Sequence, residues 1–267
     1  MDNMSRTLSK ARSGDGTLVA YEQRGEGPPL VLVGGALCTA ATDAPLAALL
    51  APRFRVVTYD RRGRGASGDT APYAVEREIE DLTAVLEDVG DDVSVHGMSS
   101  GGGLALRAAA AGAPIAQLSV YEPPFTPSVQ AGPRPAAYVA RLRELLAAGR
   151  RSEALAVFLG EAGMPTETMG HLRGSPLWAE LEAVAHTLPY DHEVMGDGSV
   201  PVGMLRGVGI RVMVVDGGAS PPWMRDAARL VSLALPRGRH RTLTGQTHEV
   251  APHVLAPVLE GFFAAEG

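Results

Sequence analysis

Residues 93–103 read Val-Ser-Val-His-Gly-Met-Ser-Ser-Gly-Gly-Gly, and an alanine-rich helical pattern follows them. The spacing Gly97-x-Ser99-x-Gly101 is typical of a sharp strand-to-helix turn that exposes a serine hydroxyl. A Cβ two residues from the serine on either side would collide with neighbouring backbone in so tight a turn. In that turn the backbone N–H of Ser100, at the start of the helix, faces an oxyanion forming on a substrate. Small residues before a helix also match this pattern by chance, so the surrounding chain must support the interpretation.

Apolar runs of strand length alternate with helical patterns through most of the chain. Predicted strands, besides the one before Gly97, are 17–23, 30–33, 54–59, 115–121, 210–215 and 239–243. Predicted helices are 44–50, 74–89, 104–111, 223–235 and 254–265. This alternation predicts an α/β fold, with a mainly parallel sheet and helices on both of its faces.

The alternation stops after Glu122-Pro123-Pro124. Residues 125–203 contain no convincing strand, but helical patterns separated by proline and glycine. These patterns cover Pro135–Ala148, Ser152–Gly160 and Leu177–Thr187. We therefore predict a core domain formed by residues 1–124 and 204–267, with residues 125–203 inserted as a helical cap.

Four motifs, in this order along the chain, give the sequence a recognisable pattern. They are Gly34-Gly35-Ala36, Asp60-Arg61-Arg62-Gly63-Arg64-Gly65-Ala66-Ser67, Gly97-x-Ser99-x-Gly101 and Gly245-Gln246-Thr247-His248. With them the chain resembles the α/β-hydrolase fold family, in its serine hydrolase branch, over nearly its whole length. A dinucleotide-binding α/β fold fits less well, because no G-x-G-x-x-G follows the first strand.

The resemblance implies a serine nucleophile, a histidine base and a carboxylate that orients the histidine. Ser99 and His248 match the first two, and a base is needed because a serine hydroxyl is a poor nucleophile until its proton is taken. The family's common acid position is occupied here by Ser220. Glu122, which ends the strand after the elbow helix as in haloalkane dehalogenases of this fold, is favoured over Asp216 as the catalytic acid. A structural role for Glu122, binding an arginine, is the alternative.

The resemblance also implies an oxyanion hole made of two backbone N–H groups. Ser100 supplies one, and Ala36 is expected to supply the other. The family usually has His-Gly before this second donor, whereas this sequence has Gly34-Gly35. That departure removes a side chain that supports the loop and leaves the backbone more freedom.

The arginines of the motif that begins at Asp60 are interpreted as structural. The glycines of this motif permit tight turns, and Arg61, Arg62 or Arg64 can bind carbonyls and carboxylates beneath the site. A phosphate-binding loop is disfavoured because the Gly-Lys-Ser/Thr ending is absent.

Composition limits the partners. The net charge of −6 and the absence of basic runs argue against nucleic acid and anionic membranes. One cysteine, Cys38, excludes an internal disulfide, and the polar stretch Met1–Gly14 lacks the apolar segment of a signal peptide. We expect a cytoplasmic protein without a metal or organic cofactor, and a homodimer is left open.

These patterns together predict hydrolysis of a carboxylic ester, lactone or thioester through an acyl-enzyme. Apolar residues in the cap, among them Met164, Trp178 and Leu188, favour a small hydrophobic substrate. Two alternatives remain open from the sequence. One is non-hydrolytic chemistry on the same machinery (a lyase, a cyclase or a cofactor-free peroxidase), and the other is a binding protein with an inactive site.

Overall fold

The computed structural model describes residues 8–127 and 136–264, and within them the chain forms one eight-stranded sheet. The strands are β1 (Leu8–Arg12), β2 (Leu18–Arg24), β3 (Pro29–Val33), β4 (Arg55–Tyr59), β5 (Ser94–Met98), β6 (Gln117–Tyr121), β7 (Arg211–Gly217) and β8 (Gly238–Leu243). Their order across the sheet is β1-β2-β4-β3-β5-β6-β7-β8. β1 and β2 run antiparallel to their neighbours, and all other pairs are parallel. The predicted α/β class is confirmed.

Helices cover both faces of this sheet. They are α1 (Ala44–Leu50), α2 (Val75–Val89), α3 (Ser100–Ala110), α4 (Ala136–Ala147), α5 (Arg151–Glu161), α6 (Thr166–Arg173), α7 (Pro176–Val184), α8 (Leu188–Met195), α9 (Val202–Leu205), α10 (Pro222–Ala234) and α11 (Pro252–Phe263). α2, α3 and α10 contribute to one hydrophobic cluster, and α1 and α11 to another. The sequence of β3 is continuously apolar because the strand is buried on both faces. Val31 and Val33 face the first cluster, and Leu30 and Leu32 face the second.

Helices α4 to α9 lie between β6 and β7 in the chain. Several of them share a third hydrophobic cluster, which includes Trp178 and Leu188. Leu37, from the loop after β3, is buried in the same cluster, and Ala36 packs against it. The cap boundaries at 125 and 203 stay a prediction, but these contacts connect the helical region directly to the loop that follows β3.

Several elements were not predicted. β1 contains only one strongly apolar residue, Leu8, and lies at the edge of the sheet. α6 has no fully buried residue, and its apolar contacts come from the partly buried Met169 and Leu172. α8 and α9 are only eight and four residues long. Of the residues assigned from the sequence, 1–7, 128–135 and 265–267 lie outside the described part of the chain.

One buried histidine gives the fold a pH dependence. His96, in β5, is 2% exposed, and burial lowers its pKa from 6.5 to about 4, offset only in part by the backbone of Ser119. As the pH falls below 6.5, His96 binds a proton in the unfolded chain, whereas in the folded chain it stays neutral until about pH 4. The free energy of unfolding therefore falls over this interval, by up to ~3 kcal/mol.

We predict that His96→Leu removes this part of the acid destabilisation. Urea unfolding of wild type and variant at pH 7 and pH 4.5 measures it, because other titrating groups cancel in the difference. The variant should gain about 2–3 kcal/mol relative to wild type on going to pH 4.5. His253→Leu, at an exposed position, is the control and should gain little. Equal behaviour of the two variants would contradict the prediction.

Candidate active site

Ser99 lies in the turn between β5 and α3, with the backbone dihedrals φ 54° and ψ −126°. A positive φ is costly for a residue with a Cβ, and such conformations concentrate at functional sites. The turn leaves no space at Gly101, where a Cβ would come within 2.2 Å of the Val33 carbonyl oxygen. The backbone N–H of Ser99 donates to the carbonyl of Tyr121 at 2.9 Å. Ser99 is therefore fixed directly after β5, against the last residue of the neighbouring strand β6.

His248 lies in the loop between β8 and α11, and hydrogen bonds fix this loop over the sheet. The Tyr121 hydroxyl donates to the carbonyl of Thr247 at 2.6 Å. The N–H of Ala219 donates to the carbonyl of Gln246 at 2.8 Å. These contacts connect the histidine loop to β6 and to the loop after β7.

Three of the predicted site residues meet in one hydrogen-bonded chain. His248 Nε2 lies 3.1 Å from Ser99 Oγ, and His248 Nδ1 lies 2.9 Å from Glu122 Oε2. An ionised carboxylate only accepts hydrogen bonds, so Nδ1–H donates to Glu122 and Nε2 accepts from the serine hydroxyl. In this tautomer the imidazole can take the proton of Ser99.

Glu122 directly follows β6, with a φ of 41°. Its side chain is fully buried, and Oε1 accepts the backbone N–H of Gly217 at 2.8 Å. Burial alone would raise the pKa of this carboxyl, but hydrogen bonds from His248, Ser220 and Gly217 hold the pKa below its usual value. Glu122 is therefore ionised at neutral pH, as a partner of Nδ1–H must be.

Asp216, the other carboxylate considered, is placed elsewhere. It is also buried, near the end of β7. Its Oδ1 lies 3.4 Å from Nε2 of His240, not beside His248. The sequence favoured Glu122 without excluding Asp216, because both residues end strands next to the site. The structure gives the hydrogen bond with His248 to Glu122.

The loop after β3 lies directly against Ser99. A Cβ added to Gly35 would come within 2.9 Å of Ser99 Cβ and 3.1 Å of the Met98 carbonyl oxygen. Within the described chain, no acceptor occupies the backbone N–H of Ala36 or of Ser100. Ser100 is the first residue of α3, where an N–H has no partner inside its own helix.

Buried arginines lie beneath this loop, as interpreted from the sequence. Arg61 donates to the carbonyl of Gly34 at 3.2 Å, and Arg64 donates to that of Gly35 at 2.5 Å. Both also bind Asp191 of α8, which sequence reasoning missed. A signal for it existed: Asp191 falls on the buried face that α8 forms with Leu188, Val194 and Met195.

Cys38, the one cysteine of the sequence, lies in the loop between β3 and α1. Burial raises the pKa of the Cys38 thiol to about 11, so it is protonated at neutral pH. Across residues 8–127 and 136–264 there is no group of three or more His, Cys, Asp or Glu side chains that could hold a metal ion. The same residues include no helix with the length and apolarity needed to cross a membrane.

Known proteins share the fold of this chain. A crystal structure of an alpha/beta hydrolase from Sphaerobacter thermophilus DSM 20745 is 52% identical, with a TM-score of 0.89, over 96% of this chain and 100% of that one. An esterase from Rhodococcus sp. ECU1013 shares the fold at 21% identity, with a TM-score of 0.71, over 97% and 99% of the two chains.

A curated relative, a putative carbamate hydrolase from Azorhizobium caulinodans, is 35% identical over 103 residues. That match spans 38% of each chain, so this protein matches well under half of the relative's length. The model of the alpha/beta hydrolase family matches residues 30–260. These findings support an enzyme with hydrolase activity. The chain belongs to the alpha/beta hydrolase family.

Proposed function

We propose that this protein is a serine-dependent hydrolase that cleaves a carboxylic ester, lactone or thioester through an acyl-enzyme. The observation that carries the proposal is the continuous hydrogen-bonded chain from Ser99 Oγ through His248 to Glu122. It joins a nucleophile, a base with a defined tautomer and an ionised carboxylate, which is the arrangement that acyl transfer needs.

In the first half-reaction Ser99 Oγ attacks the substrate carbonyl carbon while its proton passes to His248 Nε2. The carbonyl π electrons move to the oxygen, which the N–H groups of Ala36 and Ser100 stabilise. The C–O or C–S bond then breaks, and the leaving group takes the proton from His248. Glu122 stabilises the imidazolium in between without itself being protonated.

In the second half-reaction water attacks the acyl carbon and His248 Nε2 takes its proton. Collapse of the tetrahedral intermediate breaks the bond to Ser99 Oγ, which recovers the proton from His248. The acid is released, and the enzyme returns to its starting state. A lactone follows the same course, except that its leaving hydroxyl remains attached to the product.

A small hydrophobic substrate fits the surroundings of the oxyanion loop. Leu37 is buried among side chains of α4, α5, α7 and α8, and Ala36 packs against this cluster. Apolar walls beside an oxyanion site favour an uncharged, apolar acyl group. The partial match to a putative carbamate hydrolase makes carbamates a further class to include in a substrate panel.

We predict that Ser99→Ala lowers kcat on p-nitrophenyl butyrate by at least ~10³-fold, because the variant cannot form an acyl-enzyme. Initial rates, with thermal unfolding to show that the variant is folded, measure this. Retained turnover in a folded variant would contradict covalent catalysis.

The two buried carboxylates permit a matched comparison. Glu122→Gln should lower kcat by roughly 10²–10⁴-fold, because an amide does not stabilise the imidazolium or select the same tautomer. Asp216→Asn, at a carboxylate just as buried, should stay within a few-fold of wild type. Steady-state kinetics of both variants test this. The reverse order of effects would assign the acid to Asp216.

A further inference from the structure

We infer that Asp191 is a positioning residue for the oxyanion hole, an inference that rests on the proposed function. It belongs to α8, in the helical region between β6 and β7. It is 4% exposed. Its carboxylate accepts a hydrogen bond from the Ser100 hydroxyl and binds the two arginines that donate to the loop before Ala36. It thus contacts groups next to both proposed donors, Ala36 and Ser100.

The first link runs to Ser100. The hydroxyl of Ser100 donates to Asp191 Oδ1 at 2.7 Å. Ser100 is the first residue of α3, and its backbone N–H is one proposed donor. The side-chain contact therefore fixes the residue that carries this N–H.

The second link runs through two guanidinium groups to the other donor. Arg61 Nη1 lies 2.7 Å from Asp191 Oδ1, and Arg64 Nη2 lies 2.7 Å from Oδ2. The same two arginines donate to the carbonyls of Gly34 and Gly35. The peptide that joins Gly35 to Ala36 contains both the carbonyl held by Arg64 and the N–H proposed as a donor. A peptide is planar, so fixing its carbonyl also fixes the direction of its N–H.

The loop itself supplies one hydrogen bond to this peptide, from the N–H of Cys38 to the Gly35 carbonyl at 3.2 Å, and the arginines supply the rest. Two consecutive glycines allow many backbone conformations, and the oxyanion needs donors within about 2.7–3.1 Å. Arg61 has a second carboxylate, Glu78, at 2.6 Å. Arg64 Nε donates to the Thr187 hydroxyl at 3.1 Å, but within the described residues Asp191 is the one carboxylate that Arg64 binds. The position of the Gly35 carbonyl therefore depends on Asp191 more than that of the Gly34 carbonyl does.

The neighbouring pair of Arg62 and Asp81 provides a control. Asp81 Oδ1 lies 2.7 Å from Arg62 Nη2, and both side chains are fully buried. Arg62 belongs to the same loop as Arg61 and Arg64, but its hydrogen bonds go to Asp15, Thr17, Thr70, Arg77 and Asp81, not to the oxyanion loop. Loss of a buried charge at Asp81 should therefore destabilise the fold without moving the donors.

The test compares Asp191→Asn with Asp81→Asn on p-nitrophenyl butyrate and on a trifluoromethyl ketone of matched chain length. The ketone forms a hemiketal in which Ser99 Oγ bonds to the carbonyl carbon, its proton moves to His248 and the oxygen becomes an oxyanion. Asp191→Asn should lower kcat by about 10- to 100-fold and weaken the ketone inhibitor by a similar factor, with KM changed only a few-fold. Asp81→Asn should leave both quantities within a few-fold.

Ser100→Ala and Arg64→Lys keep the inference testable if Asp191→Asn does not fold, because each interrupts one of the two links. Each should lower kcat and ketone affinity together. Unchanged kcat and ketone affinity in folded Asp191→Asn, or in both single-link variants, would overturn the inference. An active Ser99→Ala variant would instead overturn the proposed function, so the two failures are distinguishable.

Discussion

The site depends on the parallel pairing of β5 with β6. That pairing sets Met98 opposite Tyr121, so that the next residue of each strand, Ser99 and Glu122, leaves the sheet at the same edge. Both adopt positive φ angles. Such conformations cost roughly 1–3 kcal/mol each and persist only where the surroundings hold them. Here the backbone N–H groups of both residues donate to carbonyls of the adjacent strands, and His248 is then placed between the two side chains.

The position of the acid follows from the same pairing. The register places Tyr121 beside Val215, so β7 continues past the point at which β6 ends. Gly217 then donates its N–H to Glu122, and Asp216 turns toward His240. Glycine at position 34 also has a physical reason, since a Cβ there would lie 2.8 Å from the Cβ of Cys38 and 3.1 Å from Asp43 Oδ2. The guanidinium groups of Arg61 and Arg64 bind the carbonyls of this loop.

Much of this architecture could be predicted from the sequence because it is local. Continuous apolar runs such as Leu30–Val33 mark strands buried on both faces, and the elbow spacing marks Ser99. The sequence favoured Glu122 over Asp216 but could not exclude Asp216, because the choice depends on side-chain direction at two adjacent strand ends. Asp191 was missed because the sequence does not show that its carboxylate meets two arginines more than a hundred residues away.

The central claim is that folding makes Ser99 an activated nucleophile. Peptide mapping by mass spectrometry after exposure to a fluorophosphonate tests it most directly, because such reagents modify a serine only where a neighbouring base and oxyanion donors activate it. The account predicts one adduct per chain, located on Ser99 and lost in His248→Ala. An adduct on another residue, or an intact folded protein that does not react, would contradict it.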